Sequence, residues 1–462
     1  MTIQLPTQAH AYIDAQWDAH LERTRTFLRQ PSISAQNLGV RETADIFRQW
    51  LTERDAQVEY HGRETHPIIY AEWDAGKPKT LLVYGMYDVQ PVDNQAWTTP
   101  PFDAKIWNHP RGGESIVARG ACNSKGPLMA FLHAVEALRA SGGLPVNIKW
   151  IIEGEEEIGS PSLPEFYDTH RARLRADAAF EPFWTQEKLD GAPEIVLGTK
   201  GIMGLEFICR AGEWGGPTKA VHSALGMWVA NPAWRLIQAL NTLIDAHQDL
   251  AVDGIPPLGQ MQKDDEQWLR QGVETFDVQT NLAYGATTRF KRDLPTYELL
   301  QRMAFAPALN INGLQSGYLG EEDHTIIPTE AWARCDLRLP PGLQIPETLQ
   351  AIRAHLARRN FGDIEVALKS GYPGARTSLS APVVQALMAT YRSHGFEPTI
   401  HAINPSATPY YLYTEVLGLE FAYGGLGAAG GSHGPDEWCS VAGLKALEKS
   451  LTTFLTMFAG GE

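Results

Sequence analysis

At 462 residues the chain is too long for one ordinary hydrophobic core, so two domains are expected. Hydrophobic residues at 44% and charged residues at 20% exclude a disordered or fibrous chain and describe a globular protein of enzyme size. The formal charge of -15 argues against a nucleic-acid backbone or an anionic membrane as partner, and no apolar run approaches the roughly 20 residues that span a bilayer.

Met1 to His10 shows no basic region followed by an apolar stretch, so no signal peptide is expected. Cys122, Cys209, Cys335 and Cys439 lie far apart with no Cys-x-x-Cys pair, which suits free thiols in a reducing compartment. The cytoplasm is the expected location.

Apolar positions at helical spacing (Ala11, Ile13, Trp17, Leu21, Phe27, Leu28) predict a helix over 8–29, and a second follows over 41–54. Ile68–Trp73 and Thr80–Tyr84 read as strands, the latter running into Gly85-Met86-Tyr87-Asp88-Val89-Gln90. After a Pro- and Trp-rich loop come a strand at Ile116–Arg119, the polar turn Asn123-Ser124-Lys125 and an amphipathic helix to Ala140. Val146–Ile152 is an apolar, β-branched run that reads as a buried strand and ends in Glu153-Gly154-Glu155-Glu156-Glu157-Ile158-Gly159-Ser160. Strand alternating with helix predicts an α/β fold, a mostly parallel sheet flanked by helices.

The character changes near residue 198. Ile202–Arg210, Thr329–Leu339 and Ile364–Lys369 read as strands and 231–247 and 347–359 as helices, while 251–301 is polar and carries no clear period. After Pro373-Gly374 the first character returns, with a helix at 381–394, a strand at 398–402, a Gly-rich loop at 424–432 and a closing helix at 440–458. The layout expected is a catalytic domain in two parts, 1–198 and 375–462, interrupted by an α+β insert over 199–374.

The chemistry is expected just past the strand ends, where open α/β sheets carry their ligands. Four carboxylates within five positions repel one another, and burying them is costly without a cation or a shared proton. His433, in Gly430-Gly431-Ser432-His433-Gly434, and Asp88 and Asn123 each follow a strand. Carboxylates and a loop histidine in that arrangement point to a metal site.

These segments, together with Trp97, Pro100-Pro101-Phe102, Arg119-Gly120-Ala121, His222-Ser223 and Arg338, resemble the zinc-dependent aminoacylase, carboxypeptidase and carnosinase-type dipeptidase family over almost the whole chain. The resemblance implies a zinc-exopeptidase-like domain with an inserted dimerisation or lid domain, and hydrolysis of C–N bonds. It makes Glu156 the general base, Glu157 and His433 ligands of one metal, Glu181 a ligand of another, and Asp88 the carboxylate that orients a ligand. It assigns His222 to oxyanion stabilisation at a neighbouring subunit's site in a homodimer, and Arg338 to the substrate carboxylate.

Three positions depart from the family's pattern. Met86 stands where the resemblance implies a histidine ligand, Asn123 where it implies the bridging aspartate, and Asn404-Pro405-Ser406 where it implies a Gly-Gly-Ser carboxylate-binding turn. A thioether is a poor partner for zinc among oxygen ligands, asparagine brings no charge, and Pro405 has no N–H. The expectation is therefore one divalent metal, zinc, held by Glu157, His433 and Asn123, with a small dipeptide or N-acyl amino acid as substrate bound near Arg338, Asn404 and Ser406. Cys122 reads as a small buried residue rather than a thiolate ligand. Two alternatives stay open: a binding protein without turnover, and a divergent enzyme using the site for another reaction.

Overall fold

A computed structural model describes residues 5–460, which form two compact units. The first comprises the described parts of Met1–Val196, Thr377–Ile400 and Leu412–Glu462; the second is Leu197–Arg376 with His401–Tyr411.

The first unit is built on a six-stranded sheet in the order Gln57–Gly62, Pro67–Trp73, Asn147–Glu153, Thr80–Met86, Ala178–Pro182, Phe421–Gly424. The first two pairings are antiparallel and the other three parallel, so the mostly parallel sheet is present with an antiparallel edge. Its central strands are apolar on both faces (Leu81, Leu82 and Val83; Ile148, Trp150, Ile151 and Ile152, all fully buried), as a sheet covered on both sides requires. Lys125–Ala140 and Val441–Gly460 pack against each other, and nearly every residue of the first is buried.

Two helices occupy the segment read as one over 8–29. Thr7–Ala15 and Trp17–Arg29 meet at Gln16, and the second turns His20, Thr24, Phe27 and Leu28 to the interior. Three strands carry no clear signal in the sequence: Gln57–Gly62, Lys105–His109 and Ala308–Ser316 hold few buried apolar side chains, so no period of two stands out.

The second unit is an antiparallel sheet in the order Ala308–Ser316, Glu330–Leu339, Gly198–Arg210, Glu365–Tyr372. Met203, Leu205, Phe207 and Cys209 alternate onto one face and pack with Leu236, Leu240, Ile352 and Leu356 of the helices Pro232–Asn241 and Ile345–Arg358. The unassigned stretch 251–301 holds the helices Asp265–Thr275 and Val278–Tyr284 and the start of Thr296–Phe305. At the beginning of Gly198–Arg210, Asn404–Ala407 returns to pair in parallel, Asn404 opposite Thr199 and Ala407 opposite Lys200.

Candidate active site

Thr80–Met86 and Asn147–Glu153 run in parallel with Met86 opposite Glu153, so both strands deliver their next residues to one edge of the sheet. Gly154 lets the chain pass Tyr87, since a Cβ there would stand 2.3 Å from the tyrosine hydroxyl. Glu156–Ile158 then makes one turn of 3-10 helix. Its open N–H groups are met by a buried side chain: Asp88 accepts from the N–H of Glu156 at 3.2 Å and of Glu157 at 3.0 Å. Burial is the main reason the Asp88 carboxyl is pushed up to about 7.

The four carboxylates of the acidic stretch have four different environments. Glu153 is fully buried, accepts from the hydroxyls of Tyr84 at 2.5 Å and Ser160 at 2.9 Å, and is driven by burial to about 8. Glu155 is also buried, accepts from the N–H of Ser162 at 3.1 Å and meets Arg63 at 3.2 Å. Neither is a solvated bystander. Glu156 has its carboxyl raised well above the ordinary range by burial, then by the charges of Glu157 and Asp88. Glu157 accepts from the side-chain amides of Gln90 and Asn123, each at 2.8 Å.

Asn123 and His433 arrive on loops tied together by Glu437. This fully buried carboxylate accepts from the N–H groups of Gly120, Cys122 and Asn123 at 2.8 to 3.0 Å and from the Arg119 guanidinium at 2.9 Å. Those four bonds stitch the turn carrying Asn123 to the loop carrying His433. The result is a compact triad: Asn123 Nδ2 lies 2.8 Å from Glu157 Oε1 and 3.3 Å from His433 Nε2, and His433 Nε2 lies 3.3 Å from Glu157 Oε2. His433 holds a left-handed φ of 63°, a conformation seldom adopted outside glycine and commonest where function demands it. The hydrogen bond His433 donates to Glu157 is the main cause of its raised pKa. Cys122 is buried, its thiol pushed up to about 12 by burial and accepting from the Ser432 hydroxyl at 3.3 Å.

Met86 ends its strand as a buried thioether. Glu181, on Ala178–Pro182, adds to the charge around Glu156. Among the described residues, one group of three His, Cys, Asp or Glu converges to within 4.8 Å, and it lies elsewhere: His20, His133 and Glu448. No such set joins Glu181 to Glu157 and His433. In the second unit, His222 is exposed, with Nδ1 accepting from the N–H of Ala224 at 3.0 Å. Arg338 lies 3.4 Å from Asp336, and Asn404 Oδ1 accepts from the N–H of Ser406 at 2.9 Å and its hydroxyl at 2.7 Å.

Against known proteins, the model of peptidase family M20/M25/M40 matches residues 82–457. The chain belongs to this family. It is 28% identical over 300 residues to the Cys-Gly metallodipeptidase DUG1 of Saccharomyces cerevisiae, covering 63% of this chain and 59% of that protein. It is 28% identical over 309 residues to human Beta-Ala-His dipeptidase, covering 63% of this chain and 56% of that one. These two alignments therefore span under two thirds of either relative. The crystal structure of the M20 family metallo-carboxypeptidase Sso-CP2 from Sulfolobus solfataricus superposes with a TM-score of 0.85 at 29% identity, covering 95% of this chain and 99% of that one.

Glu437 and Gln90 are the functional contributors that sequence reading left without a role. Gln90 ends the segment that follows Thr80–Tyr84 and Glu437 lies three residues past Gly434, but a carboxylate that anchors backbone N–H groups more than 300 positions away has no spacing to announce it.

Proposed function

We propose that the chain is a metal-dependent hydrolase of the amide bond in small dipeptides or N-acyl amino acids, with one divalent metal, zinc, per chain. The family supports peptide-bond hydrolysis, and two of the relatives named above are dipeptidases. The observation that carries the one-metal reading is the triad Asn123–Glu157–His433.

Tetrahedral zinc with bonds of about 2.0 to 2.1 Å needs donors roughly 3.3 Å apart. The three side chains stand 2.8 to 3.3 Å from one another, so they fit one such ion. A half-turn of the Asn123 amide presents Oδ1, a neutral oxygen donor, in place of Nδ2. A second ion does not fit: Met86 offers a thioether, Asn123 no second charge, and no His, Cys, Asp or Glu triple gathers around Glu181 among the described residues. A cation held by the triad supplies Lewis-acid polarisation of the scissile carbonyl.

The protein's own groups supply the proton transfers. Glu156 takes a proton from the attacking water and passes it to the leaving amine nitrogen. Its surroundings favour holding that proton between the two steps. Asp88, through the N–H groups of Glu156 and Glu157, fixes the turn so that base and ligand keep their spacing. Arg338 and the Asn404–Ser406 turn are assigned to the substrate carboxylate, and His222 to the oxyanion of a partner subunit's site in a homodimer.

Support for a second copy as partner comes from the apolar side chains the second unit exposes, Met227 at 94%, Trp228 at 78% and Trp234 at 65%. Buried free cysteines accord with a cytoplasmic location, and no helix among the described residues is long and apolar enough to cross a membrane. Replacing Glu156 by Gln should lower kcat by roughly 100- to 10,000-fold with metal content unchanged. Full activity in that variant, read by amine release from a dipeptide panel, would remove Glu156 from the mechanism.

A further inference from the structure

Lys200 is 4% exposed, in the strand Gly198–Arg210. Its ammonium donates to the carbonyl of Ala306 at 2.6 Å, at the end of the helix Thr296–Phe305. A helix end offers only about half an elementary negative charge. Among the described residues no carboxylate pairs with Lys200, whereas two cations act on it, Arg338 and Lys291. Lys291 is itself neutralised by Asp249 at 2.7 Å, and Arg338 is 3.4 Å from Asp336. Burial, then those two like charges, bring the Lys200 ammonium down to about 8, which leaves it a cation at neutral pH.

A buried cation facing other cations is costly unless an anion joins it. The register shows where that anion belongs. Lys200 is two positions along its strand from Ile202, the partner of Arg338, so the two side chains share one face at a diagonal spacing of roughly 7–8 Å. Lys200 also stands opposite Ala407, at the end of the turn in which Pro405 has no N–H to offer.

We infer that Lys200 is a second carboxylate-binding group, holding the substrate's terminal carboxylate together with Arg338 in place of the backbone donors that the Asn404-Pro405-Ser406 turn lacks. This rests on the proposed hydrolase reading and specifies its substrate: a peptide or acyl amino acid with a free carboxylate, discriminated from the uncharged amide by paired cations. A helix-capping lysine, bonded only to Ala306, would give no such discrimination.

The test is calorimetric binding of alanyl-glycine and of alanyl-glycinamide to the full-length Glu156→Gln protein, with and without Lys200→Met. The expected result is a 10- to 100-fold loss of affinity for the acid, the range for a lost charge-assisted bond, with the amide unchanged. Lys200→Arg should restore most of the loss. Should Lys200→Met fail to fold, Lys200→Gln keeps a donor for Ala306 and removes the charge. Equal weakening of acid and amide, no change in either, or no acid-selective binding in the parent would overturn the assignment. Turnover is assayed separately on the unmodified protein. Acid selectivity lost with Lys200 in a protein that cleaves nothing would leave this subsite standing and the hydrolase reading refuted.

Discussion

At the scale of single residues, the site is a set of carboxylates whose neighbours divide the labour. Glu153, fully buried and accepting from two hydroxyls, has its carboxyl pushed up to about 8 by burial and serves as a hydrogen-bonding strut. Glu157, met by two amide N–H donors and a histidine, is the member the proposal gives to the cation. Asn123 occupies the middle of that group, its amide bridging Glu157 and His433 as a cation would. On the proposed one-metal reading Met86 and Asn123 limit the metal count, and they can be changed together. Met86→His with Asn123→Asp should raise bound zinc from one toward two per chain, read by elemental analysis after dialysis. A double variant that still binds one ion, or loses it, would place the limit elsewhere. These residue types were legible in sequence because each follows a strand. Their tethering was not: Glu437 reaches Gly120, Cys122 and Asn123 through the backbone, a bond type with no side-chain signature.

At the scale of elements, three helices are tied by a second buried cluster. His20 of Trp17–Arg29 and His133 of Lys125–Ala140 place Nδ1 at 2.7 and 2.8 Å from the two oxygens of Glu448 on Val441–Gly460. The two rings stack at 4.1 Å with an interplanar angle of 14°. One ion cannot lie in both of two parallel planes, so this is a carboxylate clamped by two imidazoles and not a metal site. Burial works to raise the Glu448 carboxyl, but His133 and His20 outweigh it and hold the group below its ordinary value. A depressed carboxylate contributes stability above its unfolded pKa and loses it as pH falls through the folded one. Glu448→Ala should therefore cost about 3–5 kcal/mol at neutral pH by leaving the clamp unfilled, with the deficit shrinking in acid. Denaturant unfolding at several pH values reads this, and a deficit independent of pH would assign the cost to packing alone. Helical periodicity announced these elements. The contacts of His20 and His133 with Glu448 span over 300 positions and follow only from packing.

At the scale of the whole molecule, the switch from a mostly parallel to an antiparallel sheet was legible in the change of character near residue 198. The return of 401–411 to the second unit was not, because one short parallel pairing of Asn404 and Ala407 with Thr199 and Lys200 produces it. The helices within 251–301 also escaped, since most of their side chains face solvent and no apolar stripe marks them. If the chain forms the proposed homodimer, exposed Trp228 and Trp234 of the second unit are the side chains expected at its interface. Changing both to Lys should shift the chain from dimer to monomer in sedimentation velocity, whereas an unchanged sedimentation coefficient would place the interface elsewhere or show that there is none.

The central claim is a hydrolase with one metal per chain. It is tested most directly by stripping the protein with chelator and following dipeptide hydrolysis as zinc is returned. The expected rise is linear and breaks at one equivalent per chain. A break at two equivalents, or hydrolysis that does not depend on zinc, would contradict it.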